Sequence, residues 1–584
     1  MTKRKTTALL ALLLALVLLL QGCSLALTQP VADYVADAQY PTVEHPSYTP
    51  DGGFSRPEET GPVPFGEIEY VRPDTQALRD GFAAVERIVR GGAGATEILN
   101  AYRPVERAYE SFLSMYRYTY IRYTLDLSDP FYAEEYAYLS EQYPLVEQAW
   151  ERCFQAMMYC HSRVQLEERH FGVGFFTDDL TDAVFQDDAA VELLQRESAL
   201  EIEYMALFSD MTVPWNGRQT PVNDLLRDET VDPLEVYRLY YETYAPQAAE
   251  IFAELIVVRR ELAQALGYDS YADFAYGYYY SRDYTPAQAA DYMAQIAAEM
   301  APLAELARRR TGGMLARFTQ EQTLEAVRTT AEAFGGEFAE ACRFMLDYGL
   351  YDLSASDSKL PGSYVTYLPA QEMPFLYLSP TGLSTDYLTA MHEFGHFVQD
   401  YVNYGMTRST DCAEIFSQGM ELLSLNSPAF DPVSQRRMVK AKLADSIFVF
   451  LRQAAYAEFE RRAYELPESE LNLEGFNALM VECLKEYNLF YFSREALLAP
   501  GWMDIQHFFT SPFYVVSYCV SNDAALQLYR RDCDDGSGLA TYRTLLAAAP
   551  GSGLLGLLEA AGLESPFMDG HLSELADDLV ERLR

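Results

Sequence analysis

The segment His392-Glu393-Phe394-Gly395-His396 constrains this chain more than any other part of its sequence. It follows a stretch that predicts the first turns of a helix, and residues four apart lie on one helical face. Both imidazoles can therefore reach one metal ion, while the Glu393 carboxylate can contact a water bound to that metal. The chain has only 7 histidines, so chance seldom produces this spacing. The pattern predicts a zinc site with a glutamate general base; the alternative is a surface helix that carries these residues by coincidence.

A second helix is expected to supply a third metal ligand. The first helix is predicted to end near Tyr404, and Ser409 or Thr410 can cap a helix that begins after a short polar loop. This places Glu414 in the first turn, where the positive helix end favours a carboxylate, and where it can complete a three-residue zinc site. Glu421 shares this face and can orient a ligating histidine through a hydrogen bond. The alternative for Glu421 is an ordinary solvated glutamate.

Residues 506–518 contain groups that can stabilise negative charge on a substrate carbonyl oxygen. A histidine N–H or a tyrosine hydroxyl can donate a hydrogen bond to that oxygen as the charge develops. His507, Tyr514 and Tyr518 lie in this segment. Because the chain has 44 tyrosines, composition alone does not select between Tyr514 and Tyr518.

Three motifs follow one another in the second half of the chain. They are His-Glu-Phe-Gly-His at 392–396, Ala413-Glu414-Ile415-x-Ser417, and His507-Phe508-x4-Phe513-Tyr514-Val515-x2-Tyr518. Together they resemble the oligoendopeptidase F and thimet oligopeptidase family of zinc peptidases. Segments at 215–218, 260–274 and 361–364 resemble further parts of that family, so the likeness covers residues 210 to 530.

The resemblance implies a role for each motif residue. It implies one Zn²⁺ ion per chain, bound by His392, His396 and Glu414, with Glu393 as general base. It also implies His507 and Tyr518 as transition-state donors and Tyr514 as a residue that contacts the substrate. The implied fold is mainly α-helical and zincin-type, with a helical N-terminal part and a small β element beside the zinc helix. A deep channel would admit extended peptides and exclude folded proteins.

Hydrophobic periodicity beyond the motifs is mostly helical. Amphipathic patterns at 75–89, 147–161, 189–211 and 233–266 predict helices, whereas strands are predicted only around the turn at 216–217 and within 363–378. We predict four regions along the chain. They are a lipoprotein signal peptide (1–22), a flexible linker (23–65), an N-terminal helical region (66–210) and an oligopeptidase catalytic region (211–584).

The N-terminus predicts export and lipid attachment. Lys3-Arg4-Lys5 precedes an apolar run of 13 residues, Ala8 to Leu20, which is short for a bilayer span and typical of a signal peptide. The following Leu20-Gln21-Gly22-Cys23 resembles a bacterial lipobox, so Cys23 would receive the lipid. The alternative is a secretory signal that is cleaved without lipidation. Prolines in the next forty residues predict a linker between this membrane anchor and the folded part.

Charge and motifs together define the expected function. The formal net charge of −42 argues against nucleic-acid binding, because phosphate contacts need a basic surface. We expect a membrane-anchored zinc endopeptidase that hydrolyses short oligopeptides outside the cytoplasmic membrane. One alternative is a zinc carboxypeptidase, which would need a cationic group for the substrate C-terminus. Another is a peptide-binding lipoprotein without turnover, although such a protein would be expected to lose Glu393 or a metal ligand.

Overall fold

The computed structural model describes residues 61–172, 176, 188–207, 211–228, 230–310, 317–356, 358–406, 409–491 and 494–584. The predicted signal peptide, the predicted lipid-attachment residue Cys23 and the predicted linker up to residue 60 lie outside these ranges. Among the described residues, no helix combines the length and the apolar character that crossing a bilayer requires.

The described residues are mainly helical, as the sequence predicts. The helices before residue 310 are α1 (Thr75–Arg90), α2 (Ala95–Leu125), α3 (Pro130–Met158), α4 (Arg163–Leu166), α5 (Asp188–Ala206), α6 (Val222–Arg227), α7 (Pro233–Ala265), α8 (Tyr271–Tyr278), α9 (Pro286–Glu299) and α10 (Ala304–Arg308). Helix α3 begins well before the predicted residue 147, because Asp129 caps its N-terminus and Pro130 occupies its first position.

The second half of the chain contains the remaining helices. They are α11 (Gln320–Phe334), α12 (Gly336–Asp347), α13 (Thr385–Asn403), α14 (Thr410–Ser424), α15 (Pro432–Ala463), α16 (Leu473–Glu486), α17 (Glu495–Leu498), α18 (Gln506–Thr510), α19 (Val516–Asp534), α20 (Gly538–Ala548), α21 (Leu554–Ala560) and α22 (His571–Leu583). Helix α13 contains the segment 392–396, and α14 follows it after a short loop.

Two small sheets occur, and four of their five strands lie where the sequence predicts strands; β3, at Tyr351–Asp352, was not predicted. Strands β1 (Thr212–Trp215) and β2 (Arg218–Pro221) form an antiparallel hairpin, and both turn residues, Asn216 and Gly217, have positive φ angles. The second sheet has the order β3 (Tyr351–Asp352), β5 (Met373–Leu378), β4 (Ser363–Leu368). Strand β4 pairs antiparallel with β5, and β3 pairs parallel with β5.

The long helix α2 connects two hydrophobic cores. Its first half, including Ile98 and Phe112, packs with α1 and α3 in the N-terminal core. Its second half, including Met115 and Ile121, belongs to the larger core that contains α13, α14 and α19. Sharing one continuous helix fixes the N-terminal helices relative to the rest of the protein.

Helix α13 packs between the small sheet and its neighbouring helices. Helix α13 contacts β4 and β5 on one side and α14 on another, and α14 in turn packs along α19. The expectation of a mainly α-helical fold with a small β element beside this helix is confirmed. The arrangement brings the three sequence motifs, carried by α13, α14 and the α18–α19 segment, to one place.

Candidate metal centre

Helix α13 presents both motif histidines on one face. The imidazole rings of His392 and His396 lie 5.1 Å apart between centroids. The helix ends where predicted, since Tyr404 has a left-handed backbone with φ of 55° and Gly405 follows with φ of 73°. Two consecutive positive φ values turn the chain sharply, which lets the next helix fold back over α13.

The predicted position of Glu414 within its helix is wrong by one turn. Helix α14 begins at Thr410 after the N-cap residue Ser409, so Asp411 occupies the first turn and Glu414 the second. The dipole at the helix end acts within the first turn, so it does not explain the orientation of Glu414. Side-chain contacts with the rest of the site explain it instead.

Gly395 allows α13 and α14 to cross with their backbones in contact. A Cβ atom at this position would lie 2.3 Å from the Phe416 carbonyl oxygen and 2.8 Å from Ser417 Cα. Only glycine fits such a crossing without moving one of the helices. The sequence motif alone predicts no role for Gly395. A glycine inside a predicted helix is nevertheless a signal of close packing, because it costs helix stability relative to alanine.

Three potential metal ligands converge at this crossing. One ligand atom each from His392, His396 and Glu414 lies within 4.8 Å of the others. Oxygen Oε2 of Glu414 is 3.5 Å from His392 Nε2 and 3.8 Å from His396 Nε2. Two imidazole nitrogens and one carboxylate oxygen form a donor set that catalytic zinc uses. The chemistry of these side chains therefore fits a divalent metal ion.

The Glu414 carboxylate is held at both of its oxygens by neighbouring hydroxyl groups. Tyr514 donates to Oε1 over 2.6 Å, and the Ser417 hydroxyl donates to Oε2 over 2.9 Å. These bonds fix the carboxylate in the orientation that directs Oε2 towards the two histidines. Outer hydrogen bonds of this kind orient metal ligands.

Glu421 is buried and contacts His392, which is the position expected of an orienting residue. Its Oε1 atom lies 2.7 Å from His392 Nδ1, and its Oε2 atom lies 2.5 Å from Lys442 Nζ. A proton on Nδ1 leaves Nε2 available for a metal. Lys442, on α15, was not predicted, because nothing in its local sequence distinguishes it from an exposed lysine.

Burial and mutual charges set the proton affinities of these groups. Burial opposes protonation of His392, but the hydrogen bond and charge of Glu421 outweigh burial and raise its pKa to about 9. Burial, together with the charge of His392, lowers the pKa of His396 well below its ordinary value. Burial raises the pKa of Glu393 to about 7, so this carboxyl can exchange a proton near neutral pH.

The segment 506–518 brings its histidine and both tyrosines to the same site. His507 Nε2 lies 3.1 Å from the Tyr518 hydroxyl, and the His507 ring stacks on Tyr514 with centroids 4.5 Å apart and planes 1° apart. Tyr514 also contacts Glu414, so the segment is joined directly to the potential ligands. A positive φ of 64° at Phe513 makes the turn that places Tyr514 there.

Arg259 secures the short helix that carries His507. It is fully buried on α7, donates to the carbonyl oxygens of Phe508 and Phe509, and pairs with Glu197 on α5. The last carbonyl groups of a helix lack partners within the helix, and a buried guanidinium can satisfy two of them. Because these contacts span 250 residues of sequence, no local pattern could have identified Arg259.

Comparison with known protein families agrees with this architecture. Residues 65–178 match the Peptidase M3 N-terminal domain, and residues 317–577 match Peptidase family M3. Together the two matches span more than half of the chain. No curated protein matches the sequence.

Solved structures share the fold over nearly their whole length. A PZ peptidase A with a bound inhibitor superposes with a TM-score of 0.76 at 22% identity, over 89% of this chain and 99% of that one. A Bacillus anthracis protein described as an oligoendopeptidase F gives 0.74 at 22%, over 90% and 98%. The Enterococcus faecium oligoendopeptidase F gives 0.59 at 17%, over 87% and 96%.

Replacing Gly395 with alanine should weaken metal binding by about 10-fold or more, because the added methyl group pushes α13 and α14 apart and separates the ligands. Zinc affinity measured by competition with a chromogenic chelator tests this. Gly277→Ala is the matched control, since it lies in helix α8 and a Cβ there would meet nothing within 4 Å. Unchanged zinc affinity in Gly395→Ala would show that the close crossing is not needed for the site.

Proposed function

Because the chain belongs to peptidase family M3, we propose that it is a zinc-dependent endopeptidase that hydrolyses short oligopeptides outside the cytoplasmic membrane. Family membership makes the chain a metallopeptidase. The observation that carries the more specific proposal is the convergence of ligand atoms from His392, His396 and Glu414 within 4.8 Å. Glu393 and the segment 506–518 lie next to this cluster and supply acid–base and hydrogen-bonding groups.

Three side chains would hold the metal ion, and the ion would supply Lewis-acid chemistry. The ion would be held by two imidazoles, at His392 and His396, and by the Glu414 carboxylate. When bound, zinc supplies Lewis-acid chemistry that polarises the scissile carbonyl group and favours deprotonation of water. Glu421 and Lys442 hold His392 in place, and Tyr514 and Ser417 hold Glu414.

Glu393 is the proposed general base. Its side chain is fully buried and its pKa is raised to about 7 by burial, so its carboxylate can accept a proton from the attacking water. The same carboxyl group can then deliver that proton to the nitrogen of the departing amine. A base whose pKa lies near the working pH serves both steps.

Tyr518 is the proposed donor to the substrate carbonyl oxygen. The Tyr514 hydroxyl donates to Glu414, whereas the Tyr518 hydroxyl faces His507 Nε2 at 3.1 Å. A peptide carbonyl at this position could receive hydrogen bonds from both Tyr518 and His507 as negative charge develops on its oxygen. Tyr514 would then act on the metal ligand and contact the substrate with its ring.

Product analysis tests the reaction class. The purified protein is incubated with zinc and a random peptide library, and the products are identified by mass spectrometry. An endopeptidase releases internal fragments that accumulate in pairs, whereas a zinc carboxypeptidase releases single residues from one end. Stepwise loss of C-terminal residues would refute the endopeptidase assignment.

The extracytoplasmic location rests on the N-terminal sequence alone. A basic segment, an apolar run and the lipobox-like Leu20-Gln21-Gly22-Cys23 together predict export and lipid attachment at Cys23. The proline-rich linker that follows would separate the catalytic region from the membrane. Peptides that reach the outer face of the membrane would then be the substrates.

Replacing Glu393 with glutamine should lower turnover by about 10³-fold while zinc stays bound, because the base acts on water and not on the metal. Metal analysis and peptide hydrolysis on the same preparation decide this. Glu332→Gln, on the exposed face of α11, is the control. Near-normal turnover in Glu393→Gln would contradict the proposed mechanism.

Tyr518→Phe should lower kcat by about 10²-fold with little change in KM, since its hydroxyl stabilises the transition state. Tyr514→Phe should instead weaken zinc binding by about 10-fold or more, because it removes a hydrogen bond to Glu414. Steady-state kinetics and zinc titration of both variants separate the two roles. If Tyr514→Phe keeps its zinc and loses kcat while Tyr518→Phe behaves as wild type, the donor assignment is wrong.

Cys23→Ala should abolish lipid attachment, because the cysteine thiol is the acceptor of the lipid. Metabolic labelling with a fatty-acid probe measures this in cells. Cys533→Ala, which removes an exposed cysteine of the folded part, should label like wild type. Equal labelling of the Cys23→Ala protein would exclude the lipobox.

A further inference from the structure

A completely buried ion pair lies close to the metal centre and has no part in the chemistry proposed above. Arg282 lies in the loop between α8 and α9, and Asp411 lies in the first turn of α14. Arg282 Nε is 3.2 Å from Asp411 Oδ2, and its Nη2 is 3.2 Å from Oδ1. The exposed fraction of both side chains is 0%. The guanidinium therefore meets the carboxylate in a two-point contact without solvent.

The same pair holds the first turn of α19. The Ser517 hydroxyl donates to Asp411 Oδ1 over 2.5 Å and accepts from Arg282 Nη2 over 3.0 Å. The Tyr284 hydroxyl donates to the other carboxylate oxygen over 2.7 Å. One closed network thus joins the α8–α9 loop, the start of α14 and the start of α19.

The residues of this network are close in sequence to the residues of the proposed reaction. Asp411 precedes the metal ligand Glu414 by three residues, which is nearly one helical turn. Ser517 immediately precedes Tyr518 and follows Tyr514 by three residues. A shift between the starts of α14 and α19 would therefore change the distance between the metal ligand and both tyrosine hydroxyls.

Two tyrosine rings fix the plane of the guanidinium. Arg282 Cζ lies 4.3 Å from the ring centroid of Tyr276 and 4.4 Å from that of Tyr280. The Tyr280 hydroxyl also donates to the Pro512 carbonyl oxygen over 2.6 Å, in the turn that leads to Tyr514. A planar cation with several donors can stack and form the two-point contact at once, and lysine cannot do both.

The energetics of the pair argue for a role beyond helix packing. Two charges taken out of water lose their hydration, and apolar side chains of similar volume often stabilise a protein as well or better. Apolar residues of similar volume can therefore pack these helices without lowering the stability of the protein. Unlike the ion pair, apolar residues would not fix the directions of hydrogen-bond donors and acceptors at the starts of α14 and α19.

We infer that Arg282 and Asp411 are positioning residues that set the register of α14 against α19, and so hold Glu414 and the hydroxyls of Tyr514 and Tyr518 in their working arrangement. This inference rests on the proposed function of that site. It assigns the pair no contact with substrate or metal. Its effect on the reaction passes through the three residues that it holds in place.

The double variant Arg282→Met/Asp411→Leu tests this role. Removing both charges avoids an unpaired buried ion, so the variant should fold like wild type. Loosening the contact between Tyr514 and Glu414 should weaken zinc binding by no more than Tyr514→Phe does, about 10-fold, so the kinetics are measured at saturating zinc. Loss of register should lower kcat by about 10-fold or more while KM changes by less than about twofold. The matched control is Arg196→Met/Glu254→Leu, which removes an exposed pair between α5 and α7 and should leave both constants unchanged.

Hydrogen exchange of the metal-free proteins gives a readout that does not depend on activity. Amides at 409–417 and 513–520 should exchange about 10-fold faster in the Arg282→Met/Asp411→Leu variant than in wild type, because the two helix starts are no longer tied. The control double variant should exchange like wild type in both segments. Equal thermal stability of the variants would separate loosened register from global unfolding.

Each outcome of these experiments either supports or overturns the inference. Wild-type kcat and wild-type exchange in the double variant would overturn it. Failure of that variant to fold would also overturn it, because the pair would then be needed for the fold itself. Absence of zinc-dependent peptide hydrolysis in the wild-type protein would refute the proposed function instead. Hydrogen exchange would still show whether the ion pair holds the starts of α14 and α19 together.

Discussion

The backbone contact between α13 and α14 at Gly395 is the constraint on which the metal site depends. Two histidines on one helix can reach a metal ion, but the third ligand must come from another helix, which must lie at a fixed distance from both imidazoles. At Gly395 the neighbouring carbonyl of Phe416 approaches so closely that no side chain fits. That approach places Glu414 opposite His392 and His396 and leaves little freedom for the carboxylate to move away.

Around this crossing the protein surrounds the ligands with paired charges and hydroxyl groups. Lys442 balances Glu421, which orients His392, and Tyr514 with Ser417 orients Glu414. These contacts pair the carboxylates and imidazoles within a buried site, where an unpaired charge would lose its hydration without compensation. The pairing makes the site rigid, and a rigid ligand set directs the metal-binding atoms before a metal arrives.

A second junction, between α14 and α19, relates the ligands to the groups that would act on the substrate. Tyr514 links α14 to the short helix α18, because its hydroxyl donates to Glu414 and its ring stacks on His507. Ser517 joins α19 to α14 through its hydrogen bond to Asp411. Arg259 fixes the short helix that carries His507 by bonding its terminal carbonyl groups. The site is therefore built by α13, α14 and the α18–α19 segment. The backbone contact at Gly395 sets α13 against α14, and buried polar contacts set the α18–α19 segment against α14.

The sequence predicted the parts of this site that depend on local spacing. The pair His392 and His396 follows from helical periodicity, and the mainly helical fold and the two hairpin-like strand regions follow from residue patterns. The turn occupied by Glu414 was predicted wrongly, because contacts with Tyr514 and Ser417 orient this carboxylate and the helix dipole does not. Lys442 and Arg259 could not be predicted, since each acts on residues far away in the sequence. Gly395 lay within the motif, yet its role depends on the neighbouring helix.

Crystals of the zinc-loaded protein, measured above and below the zinc absorption edge, would test the central claim most directly. The account predicts one anomalous peak per chain, about 2.0–2.2 Å from His392 Nε2, His396 Nε2 and a Glu414 carboxylate oxygen, with the Glu393 carboxylate outside the coordination sphere. A peak at another site, or a peak coordinated by Glu393 in place of Glu414, would contradict it.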